Sequence, residues 1–145
     1  MIGMTRKMTK DEWQRFLSEG SKTGKLATVR ADGRPHVVPV WFLLDGDDLL
    51  FMVSKESVKG RNLLRDGRAA LCVDSEVMPY RYATAEGRVE VNEDADDLRR
   101  SATLIAARYV GEEAAEKLGA LGGGPGAMVV RMRIERVVAE ADISD

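Results

Sequence analysis

The sequence predicts a mainly β chain, a small antiparallel barrel of about six strands with short helices at its periphery. Three observations lead there. Two Asp-Gly pairs, Asp32-Gly33 and Asp45-Gly46, each separate apolar runs. Asp-Gly in that setting marks a hairpin, because type I′ turns need positive φ. The segment 127–141 is long, rich in Val, Met and Ile, and alternates with Arg131, Arg133 and Glu135, as a half-buried strand does.

In chain order, Thr9 and Glu12 form a capping box, and Trp13, Phe16 and Leu17 fall on one helical face. They predict a short amphipathic helix over 10–19, ended by Gly20, that packs as a lid on a sheet. Strands are then expected over 26–29, 36–44 and 49–53. The middle run, containing VVPVWFLL, does not alternate. Both of its faces should therefore be covered, since a simple meander leaves one face wet. Pro39 interrupts this run; having no N–H to donate, it belongs at an edge, a bulge or a gap in the pairing. One reading is an edge strand. The other is an opening where a flat ring lies against Pro39, Val40 and Trp41.

Further strands are expected over 69–73 and 82–91, with Gly87 marking a bulge or a close backbone approach. Acidic residues lead into a helix over 94–110, Gly111 breaks it, and an alanine-rich helix follows over 112–121. The Gly-rich segment 122–126 is a flexible stop. It follows a helix, and no Lys-Ser/Thr or opening helix succeeds it, so it is not a phosphate loop.

At 145 residues the chain has room for a single core and reads as one domain over 1–145. A net charge of −2 gives no electrostatic reason to expect nucleic acid. No apolar run approaches the roughly 20 residues that span a bilayer, so no membrane is expected. The lone Cys72 cannot form an internal disulfide, and the stretch MIGMTRKMTKDEW lacks the apolar centre of a signal peptide. Both predict a cytoplasmic protein. His36 is the sole histidine and Cys72 has no CxxC partner. A structural zinc site needs about four ligands, so no metal is expected. No Ser/His/Asp set assembles, and no carboxylate sits in an apolar context that would raise its pKa, so no catalytic side chain is assigned.

The informative stretch is LLFMVSKESVKGRNLLRDGR, residues 49–68. An apolar strand breaks at Ser54-Lys55, and a short helical segment follows with Val58, Leu63 and Leu64 among Lys59, Arg61 and Arg65. A strand-to-helix junction with hydroxyls and cations is a ready anion site, because first-turn N–H groups lack internal partners. A charge run of this kind is commonly a solvated helix face. The junction raises Ser57 and Lys59 above that. With the opening at Pro39–Trp41, it points to a planar cofactor bearing a phosphate.

Here the chain resembles the flavin-binding split barrels related to pyridoxamine 5′-phosphate oxidase. LATVRADGRPHVVPVWF, LLFMVSKESVKGRNLLRDGRAAL and YATAEGRVEV carry the resemblance, and Lys59, Arg61, Asn62, Leu63, Arg65, Asp66 and Arg68 meet its signature. The usual proline before the last arginine is Gly67. The resemblance implies a six-stranded antiparallel split barrel that pairs as a homodimer, with each cofactor in the groove between subunits. The oxidases carry phosphate-holding arginines where this chain has Val38 and Val58, and it lacks their substrate-binding arginine and tryptophan near the C-terminus. HVVPVWF and KGRNLLRD are instead similar to the branch that binds the deazaflavin coenzyme F-420. That branch implies F-420 as cofactor, with FMN the alternative, and hydride transfer to a small planar acceptor that is biliverdin-like, a quinone or an enone. By resemblance, Lys59 and Asn62 grip the phosphate with Ser54 and Ser57, and Pro39, Val40 and Trp41 carry the ring. Lys55 and Arg61 attract the anionic glutamyl tail, and Tyr80 and Tyr82 reach across from the partner. A non-catalytic flavin-, deazaflavin- or haem-binding protein is the reading from another class.

Overall fold

The computed structural model describes residues 4–144; residues 1–3, part of the N-terminal stretch read above, and Asp145 lie outside it. The elements are β1 (Arg6–Lys7), α1 (Lys10–Ser18), β2 (Gly24–Val29), β3 (Pro35–Val40), β4 (Phe42–Asp45) and β5 (Asp48–Ser54). They continue with α2 (Val58–Arg65), β6 (Arg68–Ser75), β7 (Tyr80–Asn92), α3 (Ala95–Val110), α4 (Glu112–Ala120) and β8 (Ala127–Ile143). All strand pairs are antiparallel, in the order β3-β2-β6-β7-β8-β5-β4, with β1 beside β8.

The mainly β split barrel with peripheral helices holds; its strand count does not. The run expected as one strand over 36–44 is two, β3 at one end of the sheet order and β4 at the other, with Trp41 alone between them. Together with the short β1, this turns six expected strands into eight. The physical reason is that one straight strand cannot pair with both edges of a curled sheet. Pro39, which has no N–H to donate, lies opposite Lys25 on an edge strand just before the crossing. Within the single chain β3 is not covered on both faces. His36, Val38 and Val40 are the better-buried set, while Val37 stays 65% exposed and Pro39 is exposed as well.

Two-sided burial falls on β5 instead. Leu49 and Phe51 enter the barrel core with Phe16, Leu26, Phe42, Leu71, Val130 and Met132. Leu50, on the opposite face, packs with Ile105 of α3 and Val129 of β8. So α3 covers the outside of β5 and β8, and α1 closes the barrel with Phe16 and Leu17, both 1% exposed. The hairpin expected at Asp45-Gly46 forms with Asp45 opposite Asp48. The bulge expected at Gly87 is present as a register shift between Glu86 and Gly87. A Cβ there would lie 1.8 Å from the Arg133 carbonyl oxygen, so the close backbone approach admits only glycine.

The predicted capping box is formed: the Glu12 amide donates to Thr9 Oγ1 (3.2 Å) and the Thr9 amide to Glu12 Oε1 (3.1 Å). Arg6 of β1 joins it through an ion pair to Glu12 at 2.9 Å and another to Asp142 at 2.7 Å, clasping α1 to β8. The Arg6 guanidinium, followed by the Thr9 amide, holds the Glu12 carboxyl down at about 2. A pKa lowered in the fold gives stability that is present above the unfolded value, near 4.5, and is lost as pH falls toward 2. In urea titrations between pH 5 and 2, Glu12→Gln should therefore show a shallower loss of stability than the wild type, the two curves converging at the acid end.

Candidate functional site

At the point where β3 ends, β5 ends and α2 begins, a cavity of about 670 Å³ opens between the sheet and the helices α3 and α4. That volume lies within the range usual for small-molecule sites, about 300–1,000 Å³. Pro39, Val40 and Trp41 form one side, and Met52, Val53 and Ser54 from the end of β5 form another. Lys59 enters from α2, Ala102, Ile105 and Ala106 from α3, and Leu118, Leu121 and Gly123–Pro125 close the rim. The walls are apolar. Their polar side chains apart from the indole are the Ser54 hydroxyl and the Lys59 ammonium, and the lining has no carboxylate or imidazole.

The strand-to-helix junction is built tightly. The Ser54 carbonyl accepts from the Ser57 amide (3.1 Å) and the Ser57 hydroxyl (2.6 Å), and that hydroxyl accepts from the Gly60 amide (3.0 Å). Ser57 is thus the N-cap of α2. A Cβ on Gly60 would fall 2.0 Å from the Ser54 carbonyl oxygen, so glycine lets the first turn press against the strand end. The Lys55 amide donates to the Gly126 carbonyl (2.8 Å), which ties the Gly-rich loop to the same point. Lys59 makes no ion pair or side-chain hydrogen bond among the described residues, whereas Lys55 is held by Glu93 at 2.8 Å. The Glu93 carboxylate raises the pKa of Lys55, and Lys55 is not on the cavity wall.

The residues expected at the site divide accordingly. Pro39, Val40, Trp41, Ser54 and Lys59 share one cavity, and Ser57 stands behind it as the cap. Asn62 does not reach it. It is 4% exposed, donates to Thr28 Oγ1 (3.0 Å) and accepts from Arg65 (3.1 Å), binding α2 to β2. Arg61 lines a separate cleft of about 380 Å³ with Arg30, Arg34, Asn62 and Arg65. Tyr80 pairs with Ile143, and Tyr82 lies opposite Glu140. The Tyr82 hydroxyl donates to Glu140 at 2.5 Å, and that bond, with some burial, raises its pKa. Both tyrosines lie near the end of β8 remote from Ala127, where β8 meets the cavity.

Sequence reasoning missed α3, α4 and the Gly-rich loop as walls. The signal was present in Ala102 and Ala106, small residues four apart that leave room on a face where core helices usually carry large ones. It also missed what holds the chain at Phe42, just after the crossing. Arg108 donates to the carbonyls of Leu17 (2.8 Å), Gly20 (3.0 Å) and Phe42 (2.7 Å), with its guanidinium 4.7 Å from the Phe42 ring centroid. Burial lowers the pKa of Arg108, and the carbonyls stand in for a carboxylate partner.

A curled barrel with an apolar cavity and a lone ammonium at a helix start fits a planar group bearing an anion: the walls suit a ring, and Lys59 with the first-turn amides suits a phosphate. The class so defined is that of the cofactor-binding split barrels. The family model described as pyridoxamine 5′-phosphate oxidase matches residues 9–140, and the chain belongs to that family. An F-420H(2)-dependent biliverdin reductase of Mycobacterium tuberculosis is 34% identical over 147 aligned positions, covering 100% of this chain and 97% of the relative. Among solved structures, the conserved protein Rv2991 of Mycobacterium tuberculosis superposes with a TM-score of 0.80 at 26% identity, over 93% of this chain and 86% of that one. A structure described as an F-420 reductase superposes with a TM-score of 0.69 at 29% identity, over 85% of this chain and 94% of that one.

Arg108→Lys should lower stability by about 2–3 kcal/mol in urea denaturation, because one ammonium cannot serve three carbonyls in the guanidinium's fork geometry. A loss below about 0.5 kcal/mol would show that water replaces those bonds without penalty.

Proposed function

We propose that the chain is an oxidoreductase that uses the reduced deazaflavin coenzyme F-420 to transfer hydride to a planar conjugated acceptor, biliverdin-like, a quinone or an enone. The observation that carries this reading is the meeting of an apolar slot at Pro39–Trp41 with Lys59, which is unpaired among the described residues, in one cavity. The end-to-end similarity to an F-420H(2)-dependent reductase supports F-420 over FMN. So does Val38, which packs against the barrel core and offers no charge to a phosphate.

When bound, the reduced deazaflavin supplies the hydride, and solvent can supply the proton. The protein's share is position and exclusion. Pro39, Val40 and Trp41 hold the ring, and Ser54 and Lys59 hold its phosphate with the first-turn amides of α2. Ser57 and Asn62 act through α2, the first by capping it and the second by binding it to β2. Lys55, beside the junction and paired with Glu93, and Arg61, in the separate cleft, would attract the glutamyl tail. The cavity wall is mostly apolar and its one cation is assigned to the phosphate, which suits hydride transfer, in which the chemistry belongs to the cofactor.

A homodimer completes this reading. The open face of β3 presents Val37 at 65% exposure and Pro39, and across the same outer sheet surface Val138 is 42% exposed. Burying these against a second copy removes apolar surface from water. It also offers Tyr80 and Tyr82 a route to the partner's cavity. Sedimentation should give a dimer, and Val37→Glu should give a monomer; a wild-type monomer at micromolar concentration defeats this part of the proposal.

Spectral titration with F-420 and with FMN tests the cofactor. Lys59→Ala should raise the dissociation constant for F-420 at least about tenfold, the loss of a charge-assisted contact, with little change in melting temperature. Equal affinity in the mutant removes Lys59 from the site. Micromolar binding of FMN alone overturns the deazaflavin assignment. Bound reduced F-420 that no quinone, tetrapyrrole or enone oxidises makes the protein a carrier.

A further inference from the structure

Trp41 lies on the cavity wall, yet it is the single residue between β3 and β4 and is 44% exposed, so neither strand's packing fixes its ring. Its indole is stacked on Tyr109 of α3, with centroids 5.0 Å apart and planes 3° from parallel. Tyr109 is itself absent from the cavity wall. The Tyr109 hydroxyl donates to the Lys22 carbonyl (2.8 Å) and accepts from the Phe42 amide (3.2 Å). The Arg108 guanidinium lies 5.2 Å from the Tyr109 ring centroid and 4.7 Å from that of Phe42. Tyr109 is therefore held at both ends: its hydroxyl by two backbone groups, its ring between an indole and a guanidinium.

We propose that Tyr109 is a positioning residue of the ring site, whose ring fixes the plane in which the Trp41 indole faces the cavity and thereby sets affinity for planar ligands. This inference rests on the cofactor reading above. The parallel stack leaves Trp41 one aromatic face and its edges to present to the cavity, in one orientation. Without Tyr109 the exposed crossing residue is free to turn, and a planar ligand must order it on binding, which weakens affinity. The Tyr109 hydroxyl serves the backbone; the ring serves the site. Ring and hydroxyl can thus be separated by substitution.

The experiment uses the full chain in a Trp13→Phe background, which leaves Trp41 as the sole tryptophan. Without ligand, acrylamide quenching of Trp41 should rise about twofold or more in Tyr109→Leu and stay at the background level in Tyr109→Phe, which keeps the ring. In titrations, the dissociation constant for F-420 should rise roughly three- to tenfold in Tyr109→Leu and stay within about twofold in Tyr109→Phe. Far-UV circular dichroism checks folding, and Tyr109→Met replaces Tyr109→Leu if the latter does not fold. Unchanged quenching and affinity in a folded non-aromatic variant overturns the proposal. So does a Tyr109→Phe protein as impaired as Tyr109→Leu, since loss of the hydroxyl's bonds to Lys22 and Phe42 then accounts for the whole effect. If wild-type protein fails to bind F-420, the cofactor assignment falls instead. The quenching comparison still decides on the stack, and the affinity comparison is then made with FMN.

Discussion

The structure depends on how backbone polar groups are satisfied where the chain steps from one edge of the sheet to the other. β4 is the outermost strand at its end of the order, and an edge strand presents N–H and C=O groups with no ladder partner. At Phe42 the two groups are taken up by neighbouring side chains of α3: the amide donates to the Tyr109 hydroxyl and the carbonyl accepts from Arg108. Arg108 also serves the carbonyls of Leu17 and Gly20, at and just beyond the end of α1. One guanidinium thus joins the lid helix, the crossing and the outer helix. The Phe42 side chain, fully buried, anchors the same residue from inside the barrel. With both sides of Phe42 held, the residue before it has little freedom except in its side chain, and that residue is Trp41.

The second fixed point is the end of β5. Gly60 lets α2 start within contact of the Ser54 carbonyl, and the Ser57 hydroxyl that donates to that carbonyl caps the helix by accepting from the Gly60 amide. Asn62 then binds α2 to Thr28 of β2, while Arg65 donates to Asn62 and to the Val29 carbonyl. The helix cannot slide without breaking the buried Asn62–Thr28 hydrogen bond, so Lys59 is presented from a rigid element. The cavity therefore exists because two backbone problems, an edge crossing and a helix start, are solved side by side.

Much of this was legible in the residues. The capping box at Thr9 and Glu12, both Asp-Gly loops, the bulge at Gly87 and the junction at Ser54–Lys59 each rest on local chemistry, and local chemistry survives folding. The non-local features were harder. VVPVWFLL has the composition of one strand, and only the closure of the sheet, which pattern does not encode, makes it two. Asn62 looks like a ligand contact in a polar motif, but a buried amide will take whichever hydroxyl the fold brings near, and that is Thr28. Tyr109 repeats at helical spacing with Ile105 and Ala102 and so reads as core; its stack on Trp41 depends on what the fold brings across from it. The Gly-rich loop was recognised as a stop, and its place on the cavity rim follows from the Lys55–Gly126 bond between distant segments.

The position of β8 in the sheet has a consequence for biosynthesis. It pairs with β7 along most of its length, with β5 and with β1, yet it is translated after all of them. Until it emerges from the ribosome, β5 and β7 each lack a neighbour, and the apolar face of α3 has only part of the surface it packs against. Strand pairing between segments this far apart is slow, and unpaired edges are prone to aggregate. The sheet is therefore completed last at a strand that lies inside it, and the edges of β5 and β7 stay exposed until β8 is made.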